Sequence, residues 1–156
     1  MKQRLKLVIA GKKVELDPLG LPASLEGDIL DAATAGQPRI GAYSEEIQPI
    51  LDPDLRGAHG RARFELPGGT IVTENFSLLE GATPEGAMVI RSSGRVVEGE
   101  GDYSTARGKL TSRSELVISP FSMRTVLEIC LGGSSVAKWK ARLRRRAGSR
   151  GQLCRG

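Results

Sequence analysis

Apolar and polar residues alternate one by one along much of this chain, and glycine or proline breaks the alternation about every 10 to 15 residues, the spacing of an all-β domain. Ala62, Phe64 and Leu66 interleave with Arg61, Arg63 and Glu65, a half-buried strand pattern. Leu66-Pro67-Gly68-Gly69 then turns the chain straight into Thr70 to Leu79, the second strand of a hairpin. Arg4 to Ala10, Ile40 to Leu51, Ala87 to Glu98, Lys109 to Ser119 and Phe121 to Leu131 read in the same way. Ser24 to Ala33 fits a strand or one to two helical turns, and DPDLRGAHG, from Asp52 to Gly60, reads as a loop. About seven or eight strands with little room for helices mean a sandwich or a closed antiparallel barrel. Closure is favoured because it removes the unpaired edges that so many strands would otherwise expose.

At 156 residues the chain makes one domain with a core of its own. Phe, Tyr and Trp make up only 4% of it, too few large side chains to fill a barrel lumen. No apolar run approaches the roughly 18 residues of a membrane-spanning helix. The opening MKQRLKLVIAGKKVELD has an apolar stretch of only about four residues, short for a secretory leader. The expected location is therefore cytoplasmic. Cys130, in an apolar run, reads as a small buried hydrophobe, and Cys154 as an exposed thiol; the two form no disulfide framework.

The formal charge of +5 is unevenly spread: eight of the 23 Lys and Arg fall in the last 25 residues, which contain no acid. The body before Gly132 is left at −3. The organisation expected is thus a barrel domain over residues 1–131 and a basic tail over 132–156, flexible or a short helix with Val136, Trp139 and Leu143 on one stripe. Basic clusters attract phosphates, but the body has no aromatic residues interleaved with basic ones and no recognition motif, which argues against nucleic acid.

Several chemistries fail at the first step. The lone His59 sits between Ala58 and Gly60 with no nucleophile motif beside it, so a hydrolase triad is not supported. The glycine-rich segment has no Lys-Ser/Thr and leads into no helix, so it makes a poor phosphate loop. Metal ligands are not clustered, and neither metal nor cofactor is expected.

That segment, RVVEGEGDYSTARGKL from Arg95 to Leu110, carries Gly99, Gly101, Tyr103, Ala106 and Gly108 in the pattern G-x-G-x-Y-x-x-A-x-G. Glycines there permit a bend or close backbone approach, with the Tyr103 ring packed over them. The pattern resembles the strand–turn–strand signature of the allene oxide cyclase-like and dirigent-like barrels. LTSRSELVISPFSMRTVLEICL is similar to their last hairpin, and Ile40 to Pro53 stands where an early strand would. The resemblance covers Arg39 to Leu131, and the basic tail has no counterpart in it. It implies an eight-stranded antiparallel calyx holding a hydrophobic, flexible molecule, and small bacterial barrels of this kind include cyclases that fold linear polyketide chains, some by cycloaddition. The catalytic residues of plant allene oxide cyclases do not carry over.

Candidate site residues come from the strand faces. On one strand Val72, Glu74, Phe76 and Leu78 oppose Thr73, Asn75 and Ser77; on the last, Ser122, Arg124, Val126, Glu128 and Cys130 oppose Phe121, Met123, Thr125, Leu127 and Ile129. Which set faces the lumen depends on register. A carboxylate inside would have a raised pKa and serve as acid or base, so Glu74 and Glu128 are candidates, with Tyr43 as hydrogen-bond donor. Arg124, Phe76, Val72, Val126 and Tyr103 are the candidate ligand contacts. Two functions remain open: a cofactor-free cyclase or isomerase acting on a hydrophobic, polyketide-like substrate in natural-product biosynthesis, or a non-catalytic barrel that binds or orients such a molecule. The expected partner is that small molecule, with a homodimer also compatible. If the domain boundary is right, a chain ending at Leu131 keeps β-type circular dichroism and a cooperative melt; loss of soluble protein would make the tail stripe part of the fold.

Overall fold

The computed structural model describes residues 3–51 and 56–132, and within them the chain forms eight strands and no helix. They are β1 (Gln3–Leu16), β2 (Pro22–Asp31), β3 (Arg39–Pro49), β4 (Gly57–Leu66), β5 (Gly69–Ala82), β6 (Met88–Gly101), β7 (Arg107–Val117) and β8 (Ser122–Gly132). Each pairs antiparallel with the next in sequence, and β1 pairs with β8 from Gln3↔Leu131 to Ala10↔Arg124, closing the sheet into a barrel. The stretch that fitted either strand or helix is β2, because its alternate Leu25, Gly27 and Ile29 must line a shared interior with β1 and β3. The basic tail beyond Gly132, with Cys154, lies outside the described residues, as does the 52–55 part of the expected loop; Gly57 to Gly60 of that loop is strand. No helix among the described residues is long and apolar enough to cross a membrane.

The two ends of the barrel differ. Strand direction puts the β2–β3, β4–β5 and β6–β7 turns at one end, where Leu5, Leu66, Ile71, Ile129 and Leu131 pack solid. Each such side chain contributes roughly 1.5–3 kcal/mol on burial. Tyr103, in the β6–β7 turn, folds into this end, is fully buried, and donates its hydroxyl to the Pro67 carbonyl at 3.2 Å in the β4–β5 turn. The same two turns are tied by Asp102 N–H to the Gly68 carbonyl at 3.0 Å. Tyr103 is therefore the plug of the closed end and does not line the ligand space expected of it.

Gly101 explains the glycine pattern. It has φ +64°, and a Cβ there would press on the Gly68 backbone just where the turns meet. Gly101→Val combines that strain with displacement of the Tyr103 plug, a loss of about 3 kcal/mol or more. A thermal melt should fall by about 10 °C in a domain of this size; a melt within a degree or two of wild type would remove the plug from its structural role.

Candidate functional site

The other end of the barrel, bounded by the β1–β2, β3–β4, β5–β6 and β7–β8 turns, is open. It leads into a cavity of about 660 Å³, the size of a small-molecule site. Leu25, Ile47, Ile90, Leu116 and Met123 are among the apolar side chains that line it.

A carboxylate stands within this apolar space. It is Glu45 of β3, between Tyr43 and Ile47, which share its face of the strand. Tyr43 packs its ring on Phe64 of β4 at a centroid distance of 5.3 Å, and its hydroxyl bonds the Glu45 carboxylate. From β5, Asn75 donates its side-chain N–H to Glu45 Oε2 at 3.1 Å. The residue that allows this approach is Gly60 of β4, paired with both Ile47 and Asn75, since a Cβ there would collide with the Glu45 carboxylate.

Burial raises the Glu45 pKa above its ordinary 4.5, and the hydrogen bonds from Asn75 and Tyr43 only partly oppose that rise. Although Glu45 keeps some surface toward the cavity, the solvent around it is confined, so desolvation dominates. Burial, and then the neighbouring Glu45 charge, push the Tyr43 phenol well above its usual range, so it stays a donor. The trio can thus give or take a proton at Glu45 while Tyr43 and Asn75 hold the carboxyl in place. Among the described residues no group of His, Cys, Asp or Glu is arranged to hold a metal ion.

Of the residues marked from sequence, only Tyr43 lies at this site. The lumen face of β5 is Thr73, Asn75 and Ser77, because Ala62 and Phe64 pair with Thr73 and Ile71 and carry those positions inward. Glu74 is outside, ion-paired with Arg61 at 3.3 Å and Arg95 at 3.6 Å. Val72 shares the outer row with Arg63 and Glu98, and Phe76 lies on the outer face against the His59 ring at 5.7 Å. On β8 the inward row is Met123, Thr125, Leu127, Ile129 and Leu131. Arg124 therefore reaches Gln37 at 3.1 Å, Glu128 pairs with Arg4 at 3.4 Å, and Val126 is 54% exposed. Cys130, opposite Arg4, is partly exposed, not buried. Glu45 and Asn75 were missed, although an acid between Tyr43 and Ile47 in an alternating run was a signal.

No protein-family model matches the chain, and no curated protein matches it in sequence. Among solved structures, that of a dirigent protein described as a pterocarpan synthase is similar, with a TM-score of 0.59 over 84% of this chain and 87% of the other, at 12% identity. The chain thus has the dirigent-type fold, a closed eight-stranded barrel with its interior open at one end.

The raised Glu45 pKa carries a stability signature. Above pH 4.5 the folded state keeps a proton on Glu45 that the unfolded chain has lost, so stability falls with rising pH until the folded pKa is passed. Glu45→Gln should remove that component. In urea unfolding from acid to neutral pH, the variant gains stability relative to wild type as pH rises; parallel pH profiles would mean that Glu45 ionises without penalty.

Proposed function

We propose that this barrel binds a hydrophobic small molecule and folds or orients it for ring closure or isomerisation, with Glu45 as the acid–base group. The observation that carries this reading is a carboxyl of raised pKa, held by Tyr43 and Asn75, inside an apolar cavity open at one end. Such reactions leave the ligand's composition unchanged. The proton that Glu45 lends to a ligand oxygen, as the new bond forms, returns to the carboxylate from a ligand carbon or hydroxyl, and no co-reactant is consumed. Shape does much of the work, since a confined chain is held near the geometry of closure. The Tyr43 hydroxyl, engaged with Glu45, and Asn75 hold the carboxyl in place for that proton transfer. That a barrel of the same fold is described as a synthase supports catalysis over binding alone. A linear polyketide-like chain is the substrate class we favour.

Two measurements test this. The fluorescent hydrocarbon diphenylhexatriene should bind with low micromolar affinity, and Ala58→Trp, which fills the cavity from β4, should weaken it about tenfold or more without lowering the melt. With a substrate that turns over, Glu45→Gln should cut the rate by about 10²-fold or more, the usual contribution of a positioned acid or base. Binding with no acceleration for any candidate substrate leaves a non-catalytic carrier; no binding at all sinks the reading.

A further inference from the structure

The serine and threonine hydroxyls that line the cavity are gathered on one side of it. Toward β2 and β3 the cavity presents Leu25, Ile47, Pro49 and Ile50, with Tyr43 and Glu45 deeper on β3. Across β5 to β8 five hydroxyls, Ser77, Ser92, Ser112, Ser114 and Thr125, lie among apolar side chains such as Ile90, Leu116 and Met123. The register makes the hydroxyls continuous. Ser77 pairs with Ser92 and Ser92 with Ser112 in one row across three strands, and Ser114 pairs with Thr125 one step nearer the mouth. Neighbours in a row lie about 4.8 Å apart, and Ser112 and Ser114 about 6.7 Å apart along β7.

Their hydrogen bonding leaves capacity for a guest. The Ser77 and Ser92 oxygens are 2.7 Å apart, as are those of Ser114 and Thr125. Each pair uses one of its two protons internally and keeps one proton and several lone pairs free. The Ser112 hydroxyl engages no side chain among the described residues. A polar arc is tolerable in a solvated cavity, but a purely hydrocarbon guest would strip water from it and leave hydroxyls unsatisfied, which weakens its binding. Among the described residues no Lys or Arg belongs to the arc: the basic side chains that line the cavity, Arg56 and His59, stand at the start of β4. The arc therefore suits neutral oxygens and not a carboxylate or phosphate.

Resting on the reading that the cavity binds a small molecule, we infer that its ligand is neutral and oxygenated along one edge. Carbonyl or hydroxyl groups meet the β5–β8 arc while bare hydrocarbon faces Leu25, Ile47, Pro49 and Ile50. The arc then fixes which edge of the ligand turns toward Glu45, because Asn75 joins Glu45 to the Ser77 end of the arc on the same strand.

trans-Stilbene and its trihydroxylated analogue resveratrol, one skeleton with and without oxygens, provide the test by fluorescence titration of the full chain. The Ser92→Ala, Ser112→Ala, Ser114→Ala triple variant should weaken resveratrol by about tenfold or more while binding stilbene at least as tightly as wild type does. Ser112→Ala alone, which breaks no internal pair, should weaken resveratrol by about threefold and serves if the triple variant melts early. Equal effects on the two probes, or none on either, would overturn the inference while leaving a hydrophobic binding barrel. Failure of wild type to bind either probe would overturn both.

Discussion

The hydrogen-bonded seam between β1 and β8 is what the rest of this molecule depends on. Without it, eight strands would expose two edges and the interior would be a groove filled with water. With it, every strand has two neighbours, and the width of the interior is set by strand number and stagger instead of by how well side chains fill it. A chain with so few aromatic residues can then keep an internal space. Leucine, isoleucine and the Tyr103 plug fill one end, and the other stays open.

Closure also produces the chemistry. A carboxylate on an open sheet would be solvated and acidic. Inside the barrel, Glu45 stands between Tyr43 and Ile47 and opposite Ala62, and confinement makes its charged form expensive. Asn75 and Tyr43 keep it oriented without restoring its ordinary acidity. The outer surface follows the reverse rule: Arg61, Glu74, Glu98 and Arg95 form a ladder of exposed ion pairs that contributes little to stability and keeps that face in water.

The strands and turns were legible because they are written locally. Alternation in Arg61–Leu66, the Pro67-Gly68-Gly69 turn and the Gly99, Gly101, Tyr103 pattern each act within a few residues. The site was not. On β5 both alternate sets are mixed, with Glu74 among apolar residues in one and Asn75 among small polar residues in the other. On β5 the set with Val72 and Phe76 lies outside and the small polar set lines the lumen, whereas on β8 the more apolar set, with Met123, Leu127 and Ile129, is inside, so apolarity does not label the faces. The cue at Tyr43, Glu45 and Ile47 was local, but the value of Glu45 depends on Asn75, thirty positions away.

The sequence alone determined an all-β chain with strands enough to close on themselves, a glycine-dependent turn at Tyr103, and an interior short of bulky side chains. Local alternation and backbone freedom suffice for those. Only the tertiary structure decided which face of each strand is the inside, and hence that Glu45, Asn75 and the serines meet there while Glu74, Arg124 and Glu128 face water. The reason is periodicity: a strand's side chains alternate with period two, so the sequence defines two faces but does not label them. The label comes from pairing with strands distant in the chain, around a barrel that must close.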